Sequence, residues 1–110
     1  MSVKQIFISQ PMKDKSDEEI IKERNEIIEF AKCKYGDIQI IESFLSDEFQ
    51  NEALASKNVA VKFLGKSIEM LADADICIFS KDFTSARGCL MEYRVCTNYD
   101  IETYMMTEND

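Results

Sequence analysis

Four short runs of β-favouring residues, at positions 4–9 (KQIFIS), 38–41 (IQII), 76–79 (ICIF) and 101–106 (IETYMM), alternate with segments whose apolar residues recur at helical spacing. That order, β-α-β-α-β-α-β, has few solutions in three dimensions. Each crossover between neighbouring parallel strands must pass over a face of the sheet, so the helices end up covering it. The run ICIF is apolar at every position, as a strand covered on both faces requires.

The helical segments carry their own punctuation. Ser16-Asp17-Glu18-Glu19 reads as a capping box, with Ser16 at the N-cap and Glu19 three residues on. Ile20, Ile21, Ile27, Ile28 and Ala31 continue at helical spacing, and Gly36 stops the helix. Val61, Leu64, Ile68 and Leu71 are spaced three, four and three apart, and residues 88–97 form a further helical stretch. Residues 43–57 are polar with scattered apolar positions, which fits a loop or short helix over one edge. With 110 residues there is room for one domain. The expectation is therefore a single-domain α/β fold, a Rossmann/flavodoxin-like three-layer sandwich with a four- to five-stranded parallel sheet. The domain is expected over residues 1–106, with 107–110 as a mobile acidic tail.

Charge and residue usage narrow the function. Twenty-one acidic residues against 13 basic ones leave a net charge of −8, which repels nucleic-acid polymers. A single nucleotide escapes that objection, because one arginine and a few amides suffice to hold it. The chain has no histidine, which excludes Ser-His and Cys-His nucleophile pairs. The four cysteines have no CxxC spacing, so reduced, mostly buried thiols in a cytoplasmic protein are expected, with neither a metal site nor a cofactor. No secretory leader or membrane span is apparent.

In sheets of this kind ligands lie outside the carboxyl ends of the strands, where the strand order switches. That rule points to the loops after the first and third strands. In the first, Ser9-Gln10-Pro11-Met12 precedes the capped helix and offers amides and a hydroxyl to a sugar or phosphate; the alternative is an ordinary strand-to-helix turn. In the second, Gly88 lets a ligand approach the backbone at a helix start, and Arg87 adds a forked cation. Glu92 lies four residues past Gly88 and would project toward the same pocket; the alternative is a solvent-facing glutamate paired with Arg94. Asp82 is the loop acid best placed for function, whereas Asp73 and Asp75 read as solvated turn residues. Phe83 and Tyr93 are suited either to stacking on a base or to packing.

The segments IFISQPM, LGKSIEMLADADICIF and TSARGCLMEYRV together resemble the nucleoside 2-deoxyribosyltransferase superfamily, most closely a small branch found in phages and bacteria, over residues 4–106. The resemblance implies chemistry at an N-glycosidic bond. Glu92 matches the carboxylate that attacks the anomeric carbon, as in retaining glycosidases. Residues 9–12 match the turn that contacts sugar and phosphate. The helix N-terminus would favour ionised Glu92. Homodimers or larger homo-oligomers are implied too, with Val61–Leu71 or residues 91–93 as candidate faces. The chain departs from the pattern at three places: Ser67 stands where active members carry an acid, Leu90 replaces a glycine, and Ala86 replaces a further acid. Asp82 is the available substitute for the missing general acid. Three readings follow: an N-glycosidase, hydrolase or transferase, of 2-deoxynucleosides or their monophosphates; a non-catalytic module that sequesters or senses a nucleotide-derived signal, as in phage counter-defence; or a small oligomeric domain whose pocket is vestigial.

Overall fold

The computed structural model describes residues 3–42 and 46–110. Its elements are β1 (Lys4–Ser9), α1 (Asp17–Tyr35), β2 (Ile38–Ile40), α2 (Asp47–Leu54), α3 (Val59–Leu71), β3 (Ile76–Phe79), a 3-10 turn (Phe83–Ser85), α4 (Arg87–Asn98) and β4 (Glu102–Met105). The four strands form one sheet in the order β2-β1-β3-β4, parallel throughout. The α/β sandwich expected from the alternating pattern is therefore present, with four strands. Of the 43–57 segment, residues 43–45 lie outside those described, and α2 accounts for the short helix.

Strand parity assigns the two faces. Ile6 and Ile8 of β1 pair in register with Ile76 and Ile78 of β3 and pack against Ile27 and Ala31 of α1. The alternate residues Phe7, Cys77 and Phe79 turn to the opposite face and meet Leu71 of α3 and Cys96 of α4. Thus α1 covers one side and α3 with α4 the other, and ICIF is buried at all four positions for that reason.

Local chemistry sets the helix ends. The Ser16 side chain accepts from the Glu19 amide, and the Glu19 side chain reaches back to the Ser16 amide, completing the capping box. Gly36 ends α1 at φ +78°, a backbone region a side chain would strain, and its N–H donates to the Lys32 carbonyl.

Some positions differ from expectation. Ile21 and Val61 share the helical spacing of their neighbours yet are largely exposed, because each lies at the margin of its stripe. Asp75 is exposed but not merely solvated: its carboxylate accepts from the Gln5 amide at 2.7 Å, and its own N–H donates to the Gln5 carbonyl at 2.8 Å. It thereby continues the β1–β3 pairing beyond the strand. In the 107–110 segment, Asp110 accepts from the Tyr104 hydroxyl and the Thr107 amide. Among the described residues no helix is long and apolar enough to cross a membrane. All four cysteines are free; Cys33 is exposed and Cys77, Cys89 and Cys96 are buried.

Candidate functional site

The strand order places the switch between β1 and β3, since the chain leaves β1 toward β2 and later returns to β1's other side. The pairing of the two strands runs one step past the sheet, with the Ser80 amide donating to the Ser9 carbonyl at 3.0 Å. This holds the loops after β1 and β3 side by side.

Ser9 has the same parity as Phe7 and so points to the face covered by α4. On α4 the buried residues are Cys89, Glu92 and Cys96, three and four apart, which is the stripe that faces the sheet. Ser9 and Glu92 meet there: the Ser9 hydroxyl donates to Glu92 Oε1 at 2.7 Å, with Glu92 only 7% exposed. The carboxyl is neither solvent-facing nor paired with Arg94. Burial pushes its pKa above the ordinary carboxylate range, and the Ser9 hydrogen bond offsets this only in part. The expectation that the helix N-terminus favours the ionised form is thus overturned. Glu92 is the sixth residue of α4, beyond the first turn where the helix field is felt, and desolvation dominates.

Above this pair lies a cleft of about 250 Å³, lined by Phe7, Ile8, Ser9, Gln10, Pro11, Met12, Leu64, Ser67, Ala86, Gly88, Cys89 and Glu92. It brings together Ser9, Gln10, Pro11, Met12, Ser67, Gly88 and Glu92, all singled out from the sequence. Gly88 opens onto free space; a side chain there would first meet Leu64 Cδ1, 4.0 Å from the position of a β-carbon. The N-cap residue of α4, Ala86, has no side chain able to cap the helix start. A ligand oxygen can therefore take the place of a capping group there.

Arg87 and Asp82 do not line the cleft. Arg87 is exposed at the first position of α4. Asp82 is engaged elsewhere: its Oδ2 is 2.8 Å from Lys15 Nζ, and its Oδ1 accepts from the Ser80 hydroxyl at 2.8 Å. Partial burial favours the neutral acid, but the hydrogen bonds from Lys15 and Ser80 outweigh it and hold the pKa below normal. Asp82 is therefore kept ionised, and a group held ionised has no proton to donate. The proposed substitution of Asp82 for the missing general acid is corrected on that ground.

Lys15 is the residue that sequence reasoning missed. It sits just past Asp14, which adopts φ +64°, and its ammonium bridges Asp82 and Glu23, the latter at 3.3 Å. Glu23 also accepts from Gln10 Nε2 at 3.0 Å, so one polar chain ties the first loop, α1 and the second loop together. Lys15 and Asp82 are far apart in the chain, and no local pattern announces the pair. Leu64 and Cys89 were equally unassigned. Leu64 lies three residues before Ser67 on α3, a spacing that puts both on one face and was available as a signal. Phe83 and Tyr93 take the packing role: with Phe79 they form a trio whose ring centroids are 5.0, 5.5 and 5.6 Å apart.

No protein-family model, no curated protein and no solved structure matches the chain. What the cleft does is therefore read from its own residues.

Proposed function

We propose that the protein binds a nucleoside or nucleotide in the cleft between β1 and α4 and acts on its N-glycosidic bond, with Glu92 as the nucleophile. The observation that carries this reading is the Glu92 carboxyl, buried on the cleft floor and oriented by the Ser9 hydroxyl at 2.7 Å. A buried, perturbed acid in a concave site at a topological switch point is where chemistry is to be sought. The carboxylate would attack the anomeric carbon and release the base. The glycosyl-enzyme would then pass to water or to a second base. Serine and glutamine side chains and the open α4 amides suit the hydroxyl oxygens of a sugar.

The second reading, a module that binds a nucleotide-derived signal without turning it over, is favoured by one feature. Ser67 lines the cleft where an acid would protonate the departing base, and Asp82 is tied to Lys15. Incubation with a panel of nucleosides and nucleotides, followed by chromatography and denaturation of the recovered protein, separates the two. Free base formed by the parent supports catalysis; an intact nucleotide released only on denaturation supports sequestration.

Both readings require the cleft to be open, and Gly88→Leu tests that directly. The added β-carbon meets only Leu64 Cδ1, at 4.0 Å, and the change replaces a glycine in the first turn of α4, so the fold is expected to survive. Ligand binding is expected to weaken by at least about 10-fold, a loss of roughly 1.4 kcal/mol. Unchanged binding by calorimetry would place the ligand elsewhere.

The same proposal includes self-association in the cytoplasm. Val61 of α3 and Leu90 and Met91 of α4 are exposed apolar residues available to a second copy. Light scattering at micromolar concentration is expected to return at least a dimer mass; a value near 12.7 kDa would refute it.

A further inference from the structure

The cleft presents a nucleophile without an acid to assist the leaving group. Among its described lining residues Glu92 is the single carboxyl, and no lysine or arginine is present. The remaining proton-bearing groups there are hydroxyls, an amide and the Cys89 thiol. Burial pushes that thiol's pKa up, which makes it a weaker proton donor still. Lys15, the half-buried cation of the adjoining loop, is matched by both Asp82 and Glu23. The cleft's one ionisable carboxyl is thus unmatched by a cation in its lining, and the chain as a whole carries a net charge of −8.

A neutral base bound through nitrogen departs as an anion unless it is protonated during bond cleavage, and supplying that proton is worth about 10²–10⁴-fold in rate. A base that is already cationic has no such need. Building on the N-glycosidase reading of Glu92, we propose that the cleft acts on N-glycosides whose base carries a fixed positive charge, such as pyridinium or N7-alkylpurine nucleosides.

The step balances without a general acid. A lone pair of the Glu92 carboxylate forms a bond to C1′ as the bond from C1′ to the cationic nitrogen breaks. The electron pair of that bond returns to the nitrogen, and the base leaves neutral. Water then attacks C1′ and expels the carboxylate, and its surplus proton passes to solvent. The net reaction is cationic nucleoside plus water giving neutral base, free sugar and one proton. Attraction between the substrate's positive charge and Glu92 favours binding, and it disappears as the base leaves neutral.

The test compares two purine nucleosides that differ by one N7-methyl group and the positive charge it places on the base. The full chain is incubated with 7-methyl-2′-deoxyguanosine and with 2′-deoxyguanosine, and with nicotinamide riboside as a second cationic probe. Released base is quantified against protein-free blanks. The cationic purine nucleoside is expected to be cleaved at least about 10²-fold faster than its neutral partner, whose base both lacks a proton donor and is the intrinsically poorer leaving group. The rate with nicotinamide riboside, whose pyridinium charge does not titrate, is expected to rise with pH as Glu92 ionises and then stay level, with no falling limb from an essential acid. Glu92→Gln should remove the activity; Gly88→Leu gives a second inactive control, and melting curves verify both folds. Comparable cleavage of the neutral and cationic partners would overturn the charge selectivity and leave the N-glycosidase reading standing. Cleavage of none of the three would overturn both.

Discussion

Glu92→Gln is expected to lower base release by about three orders of magnitude or more while making the folded protein more stable at neutral pH. Glutamine keeps the shape of the side chain and can still accept the Ser9 hydrogen bond, so the cleft is preserved. An amide cannot attack an anomeric carbon, and removal of a covalent nucleophile is among the costliest changes an active site can suffer. The stability gain follows from linkage. Burial raises the folded-state pKa of Glu92 above its unfolded value, so the folded state favours the protonated carboxyl. That contribution is fully present below the unfolded pKa and is lost as pH rises through the folded pKa; at neutral pH the buried carboxylate is a burden. Glutamine lacks the burden at every pH. The variant is expected to melt several degrees higher at pH 7–8, where about 1 kcal/mol corresponds to roughly 4–8 °C, and the difference should shrink on acidification. An activity loss accompanied by a lower melting temperature at all pH values would assign Glu92 a structural role.

The largest stability effect is expected at Phe79. Its ring is fully buried at the carboxyl end of β3 and contacts both Phe83 of the 3-10 turn and Tyr93 of α4. Its carbonyl also accepts from the Met106 amide, so the residue ties β3, β4 and the cleft-forming loop to one point. Phe79→Ala removes the central ring and leaves a cavity, at a cost of about 3–5 kcal/mol. Against a total of roughly 5–15 kcal/mol for a domain, that is a large fraction. The melting temperature is expected to fall by more than about 10 °C, and the surviving fold should bind ligand poorly because α4 loses its seat. A fall of under about 3 °C would show that the aromatic trio does not anchor this end of the sheet.

The parts of this architecture governed by short-range chemistry were readable in advance. The capping box at Ser16 and the stop at Gly36 are local events, and both are realised. The all-apolar ICIF run stands for a strand with helices on both faces, which is its situation. The Gly88–Glu92 spacing placed the carboxyl one turn into a helix, and parity then brings Ser9 to it. Contacts that depend on the assembled sheet were not readable. Lys15 meets Asp82 only because β1 and β3 pair, and that ion pair decides that Asp82 cannot serve as an acid. Helical spacing likewise marks Ile21 and Val61 as members of apolar stripes, but whether a stripe's edge is covered depends on its neighbour. The direction of the Glu92 pKa shift was not readable, because proximity to a helix start was weighed without the burial that outweighs it.

The most direct test of the central reading is to acid-quench the protein during turnover of 7-methyl-2′-deoxyguanosine and map its peptides by mass spectrometry. The account predicts a deoxyribosyl group bound to the peptide that carries Glu92, absent from Glu92→Gln. Base release that proceeds without any such adduct, and at the parent's rate in Glu92→Gln, would contradict it.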